Sequence, residues 1–188
     1  MDDAEALRVT RAWVEQAVIG LNLCPFAKAV QTKNLIRYVC CDARDTAALL
    51  QALRSELQRL ADTPMDELET TLLVHPQVLG DFLDYNDFLD EADALLCEMG
   101  LDGLLQIASF HPHYQFAGSA ADDIENATNR SPHPTLHLLR EASIERAVAA
   151  FPEPEALYEA NKRTLRALGA RGWADLQARC LREAQRGG

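Results

Sequence analysis

Residues 69–112 read ETTLLVHPQVLGDFLDYNDFLDEADALLCEMGLDGLLQIASFHP, and the periodicity of this stretch decides the fold. Glu69 to His75 is a short run of strand formers that stops at His75-Pro76. From about Asp81 to Met99 the apolar residues Phe82, Tyr85, Leu89, Ala92, Leu96 and Met99 recur at steps of three and four. That spacing is an amphipathic helix, with Asp81 as its N-cap and Gly100 as its stop. Leu101 to His111 is another strand, again closed by His-Pro. Strand, helix and strand in this order predict a right-handed crossover that makes the two strands parallel. If they are neighbours, His75 and His111 emerge at one carboxyl edge, where α/β sheets bind their ligands.

Upstream, Leu7, Val14, Ala17 and Val18 mark an amphipathic helix over residues 3–19, with Gly20 as its stop. Cys24-Pro25 follows, and proline at a first helical position makes Cys24 the expected N-cap of a short helix through Val30. Helix N-terminal amides favour a thiolate, so Cys24 is a candidate nucleophile; its bland alternative is a buried cysteine filling space beside Leu23 and Phe26. Leu35 to Cys41 is a strand, and a helix from about Asp45 to Ala61 carries Leu49, Leu50, Leu53, Leu57 and Leu60 on one face. Downstream, Thr135 to Glu141 reads as a fourth strand, and Ser143 as the cap of a helix to Ala150. Phe151-Pro152 breaks that helix, another runs from about Glu155 to Leu168 and stops at Gly169, a last one carries Trp173, Leu176 and Cys180, and Arg186-Gly187-Gly188 is expected to fray. The reading is one α/β domain over residues 1–188, a mixed three to four stranded sheet with β-α-β crossovers, packed by amphipathic helices.

Composition narrows the function. The chain has 188 residues, enough for a full core without metal or disulfide staples. Its five cysteines, odd in number and without C-x-x-C spacing, suit reduced thiols, and with no secretory signal the expected compartment is the cytoplasm. A net charge of -11 and the lack of a long apolar run argue against nucleic acid and membrane as partners. Between Leu60 and Asn129 there are fifteen acidic residues and no Lys or Arg; from Lys162 onward seven basic residues face two acidic ones. The expected consequence is a basic C-terminal helix lying against acidic surface.

The segment Ala108 to Arg140 holds four of the five histidines and a long polar loop, and it is the candidate site. Three chemistries fit it. In the favoured one, Arg130 among Asn126, Thr128, Asn129 and Ser131, with Arg140 also binding substrate, grips a small carboxylate or phosphate while His111 or Tyr114 handles a proton. In a cysteine-centred one, Cys24 is the nucleophile, His75 or His111 its base, and Arg130 stabilises negative charge. In a metal-dependent one, His111 and His113 share a metal with His75, His133, His137, Asp122 or Asp123. Against all three stands a loop whose polar groups merely bond its own backbone, in a protein that uses the acidic helix from Asp81 to Met99 as a contact face. No cofactor and no oligomeric state is read from the sequence.

Three segments carry a family resemblance: Asn22-Leu-Cys-Pro-Phe-Ala27, Ser109-Phe-His-Pro-His-Tyr-Gln-Phe116, and Thr128-Asn-Arg-Ser-Pro-His-Pro134 with Leu136-His-Leu-Leu-Arg-Glu141. Together, from Trp13 to about Trp173, they resemble a bacterial family known as domain of unknown function 1415. The resemblance implies that Cys24, His111, Pro112, Tyr114, Asn126, Thr128, Asn129, Arg130, Ser131 and Arg140 belong to the family pattern, and that the positions of His113 and His133 admit other residues. It implies no activity, substrate or cofactor.

Overall fold

A computed structural model describes residues 2–150 and 154–186. In chain order the elements are α1 (Asp3–Trp13), a π-helical segment (Val14–Ile19), α2 (Ala27–Thr32), β1 (Ile36–Cys40), α3 (Thr46–Asp62), β2 (Thr70–Val74), α4 (Phe82–Glu98), β3 (Leu105–Phe110), a 3-10 turn (Ile124–Asn129), β4 (Thr135–Arg140), α5 (Glu141–Ala150) and α6 (Pro154–Arg186). The expected breaks at Phe151-Pro152 and fraying at Gly187-Gly188 lie outside the described residues.

Among the described residues four strands form one mixed sheet in the order β1-β2-β4-β3. β1 and β2 are parallel neighbours joined through α3, so one crossover is as expected. β2 and β3 also run the same way, but β4 lies between them and pairs antiparallel with both, which corrects the expected neighbour relation. The physical reason is burial. Leu136 and Leu138 on one face of β4 are fully covered, and a central position gives that strand hydrogen-bonding partners on both sides.

The sheet is packed on both faces. One face carries Leu73, Leu136 and Leu138 against Leu49, Leu53, Leu57 and Leu60 of α3 and Tyr85, Phe88 and Ala92 of α4. A fully buried leucine contributes roughly 2 kcal/mol, so the α3 stripe anchors this layer. Arg37 of β1 reaches the same helix, gripping Glu56 through Nε at 2.6 Å and Nη2 at 3.0 Å. The other face carries Leu72 and Phe110 against Trp13 and Ala17, and against Leu165, Trp173, Leu176 and Cys180 of α6. α6 breaks at Gly169 (φ 68, ψ 171), a conformation essentially restricted to glycine, in line with the expected stop. Its basic residues do reach the acidic stretch: Lys162 and Arg166 both pair with Glu125.

Caps follow the sequence in part. Asp81 Oδ1 accepts the N–H groups of Leu83 and Asp84, and Gly100 (φ 66) ends α4. Cys24 is not an N-cap: α2 starts at Ala27, preceded by Phe26, and Cys24 offers only its carbonyl, to Ala27 N–H at 3.2 Å. The N–H groups of Leu23 and Cys24 both turn back to Val18 O, and Asn22 is left-handed (φ 54), so these residues are bound to the preceding π segment. Ser143 is not a cap either. α5 begins at Glu141 directly out of β4, and Ser143 Oγ donates to Glu69 Oε1 at 2.7 Å. No helix among the described residues is long and apolar enough to cross a membrane.

Candidate functional site

At the carboxyl ends of β2 and β3, His75 and His111 are both fully buried on the α4 face, on either side of the start of β4. His75 Nδ1–H donates to Val78 O at 3.1 Å, and Nε2 is buried without a partner. His111 Nε2–H donates to Leu79 O at 3.1 Å while Nδ1 accepts from His113 N–H at 3.0 Å, so both of its nitrogens are engaged. Burial lowers both imidazole pKa values, that of His75 to about 4. Two neutral rings thus clamp consecutive carbonyls of one turn. Leu79 in that turn is left-handed (φ 58), a strain of about 1–2 kcal/mol that the clamp offsets.

Tyr85 stands between the rings, with centroids 5.8 Å from His75 and 5.1 Å from His111. Its hydroxyl donates to Thr135 O at 2.9 Å and accepts from Phe110 N–H at 3.2 Å, bridging β4 and β3. Tyr85→Phe keeps the ring but strands both backbone groups. The expected cost is about 1–2 kcal/mol, read as a lower urea midpoint at unchanged slope.

The polar loop is bound chiefly to itself. Arg130 donates from Nε to Tyr114 O at 3.1 Å and from Nη2 to Ala121 O at 2.6 Å; burial lowers its pKa, with Asp123 acting against. Asn126 Oδ1 accepts from Phe116 N–H and Ser119 Oγ, and Nδ2 donates to Ala120 O. Thr128 Oγ1 donates to Glu125 O, Asn129 Nδ2 to Ser109 O, and Ser131 Oγ to His133 O. The Tyr114 ring packs on Phe82 and Phe116. Among the described residues no three or more His, Cys, Asp or Glu converge on a point a metal could occupy.

Two expected members lie elsewhere. Arg140 pairs with Leu105, at the opposite end of the sheet from Phe110, and donates to the carbonyls of Leu60, Thr63 and Leu68. It stands apart from the polar loop, held by those carbonyls at the end of α3. Cys24 is on the other face of the sheet from His75 and His111, so the three do not form one site.

Cys24 instead helps to line a cavity of about 460 Å³. Trp13, Val14 and Val18 form one wall, Leu72, Phe110 and Leu139 the sheet floor, and Ile144 and Ala147 of α5 the far side. His137, on central strand β4, also reaches the cavity. Thr70 Oγ1 donates to Leu138 O at 2.6 Å and meets His137 Nε2 at 2.8 Å. With its own proton committed, the hydroxyl accepts from Nε2–H, which leaves Nδ1 as a bare lone pair. Nδ1 has no hydrogen-bond partner among the described residues. His137 keeps accessible surface although it sits on a central strand under α-helical cover, and the surface it shows is cavity wall. Burial lowers its pKa to about 4. At the rim, Glu69 Oε1 accepts from Ser143 Oγ and Arg146 Nη2, both at 2.7 Å.

A family model described as protein of unknown function (DUF1415) matches residues 5–175. The chain belongs to that family. No curated protein and no solved structure matches the chain.

In this DUF1415 chain the cavity residues that sequence reasoning passed over are Trp13 and Thr70, and His137 was weighed only as a metal ligand. His137 carried a signal. It alternates with Leu136 and Leu138 along β4, so it had to stand on the opposite face from two core leucines. Its partner Thr70 is 67 residues away in sequence, which no local pattern reveals.

Proposed function

We propose that the chain binds a small, largely apolar molecule in the cavity between the sheet, the π segment, α2 and α5. The observation that carries this is the cavity itself: its volume of about 460 Å³ falls in the range of roughly 300–1,000 Å³ usual for small-molecule sites, and its largely apolar wall includes His137 and Thr70, with Glu69, Ser143 and Arg146 at the rim. The cysteine-centred reading moves here, with Cys24 as the available sulfur. His137, held neutral, accepts a hydrogen bond readily and takes a proton poorly, which favours binding over acid-base chemistry. The anion reading has less support, because His75 and His111 are buried and neutral and Arg130 gives two donors to carbonyls. Five unpaired cysteines suit a reducing compartment such as the cytoplasm.

The test is titration with N-phenyl-1-naphthylamine, a neutral dye that brightens in apolar surroundings. The wild-type protein is expected to brighten it saturably. Ala108→Phe, which adds a ring to the cavity floor, is expected to weaken binding about tenfold or more at a nearly unchanged thermal midpoint. Failure to brighten the dye would overturn the proposal.

A further inference from the structure

Resting on the cavity reading, we infer that the natural occupant is a neutral molecule bearing an O–H or N–H donor, such as a phenol or alcohol, and that His137 Nδ1 selects it. Two protons are fixed in a relay. The Thr70 hydroxyl proton lies on Leu138 O, so Thr70 must receive from His137 Nε2–H. His137 lines the cavity, so Nδ1 is the acceptor its ring can offer there, and to act as a donor Nδ1 would have to break the 2.6 Å bond of Thr70 to Leu138 O. A ligand offering only an acceptor, such as an ether or ketone, meets lone pair with lone pair.

Charge narrows the class further. A carboxylate at the inner end has no proton to give, and taking it out of water without a cation is costly. The titratable groups that line the cavity besides His137 are Cys24, Glu69 and Arg146. Arg146 is at the exposed rim and already paired with Glu69, so it does not compensate an anion beside His137. A neutral donor satisfies Nδ1 and leaves the rest of the molecule to the apolar walls. The rim pair then bounds how far a polar head can be placed from His137.

The experiment is calorimetric titration of the full chain at pH 7.5 with four probes of one shape: biphenyl, 4-hydroxybiphenyl, 4-methoxybiphenyl and biphenyl-4-carboxylate. 4-Hydroxybiphenyl is expected to bind about tenfold more tightly than the methoxy compound, and the carboxylate most weakly. Thr70→Val releases the tautomer, because no hydroxyl then claims Nε2–H. It is expected to shrink the hydroxyl preference, read as the ratio of hydroxy to methoxy affinity within that variant, to within about threefold. His137→Leu is expected to abolish the preference. Equal binding of the hydroxy and methoxy compounds, or a preference untouched by Thr70→Val, overturns the inference and leaves the cavity reading standing. If none of the four binds, the cavity reading fails and the inference with it.

Discussion

Taking the protein from pH 7 to pH 4 is expected to remove on the order of 6 kcal/mol of stability through imidazole titration. Two imidazoles carry this. His75 and His137 both titrate near 4 when folded, pushed down chiefly by burial, against an ordinary value of 6.5. Each difference corresponds to roughly 3 kcal/mol. The sign follows from proton counting. Between the two values the unfolded chain binds a proton that the folded chain refuses, so stability rises with pH across the window. The contribution is fully present above about 6.5 and is lost as pH falls toward 4. His111 and His133 are shifted the same way by burial and add to the effect. For a domain with a total stability of about 5–15 kcal/mol, such a loss brings unfolding close. Urea midpoints at pH 7.5 and pH 4.5 measure it. His75→Asn retains an N–H for Val78 O and His137→Gln an N–H for Thr70, and neither titrates. The double variant is expected to lose most of the difference between the two midpoints. If it keeps the full difference, carboxylates and not these rings govern acid stability.

The elements were legible in the sequence to the extent that each is decided locally. The α4 cap at Asp81 and stop at Gly100, the α3 leucine stripe and the β2 run of Thr and Leu all depend on neighbours a few residues apart. The order of the strands does not. β4 enters between β2 and β3 because Leu136 and Leu138 complete a layer begun by Leu73, which is fixed only when α3 and α4 are already packed. The same limit applies to the site. His75 and His111 reach one edge as expected, yet both are spent on the carbonyls of a turn whose strain at Leu79 is invisible in the sequence. Proline after Cys24 pointed to a helix start there, but the backbone bonds of Leu23 and Cys24 to Val18 outweigh that local preference. They leave Cys24 facing the cavity. His137 acquires its chemistry from a threonine and a carbonyl on two strands, so its tautomer is a tertiary property.

Replacing Arg140 by Met is expected to destabilise the protein by roughly 3 kcal/mol without affecting ligand binding in the cavity. Its guanidinium gathers the carbonyls of Leu60, Thr63 and Leu68, with Nη2 at 2.7, 2.6 and 2.9 Å and Nε at 3.3 Å from the last. Two of these acceptors lie where α3 ends, and the last carbonyls of a helix have no intrahelical donor. β4 ends where α3 turns toward β2, so one planar cation closes a helix terminus and ties two strands to it. Burial lowers the pKa, and Glu69 nearby opposes that shift. Methionine fills similar space with no donor, which leaves the carbonyls to whatever water can reach. Arg140→Lys supplies a single ammonium group, which lacks the spread of the planar fork, and is expected to recover less than half of the loss. The competing assignment makes Arg140 an anion ligand, and the two roles separate experimentally. A ligand role predicts weakened binding of phosphate or a carboxylate at an unchanged urea midpoint. The geometry predicts the reverse, because the donors that an anion would need are already turned toward the end of α3.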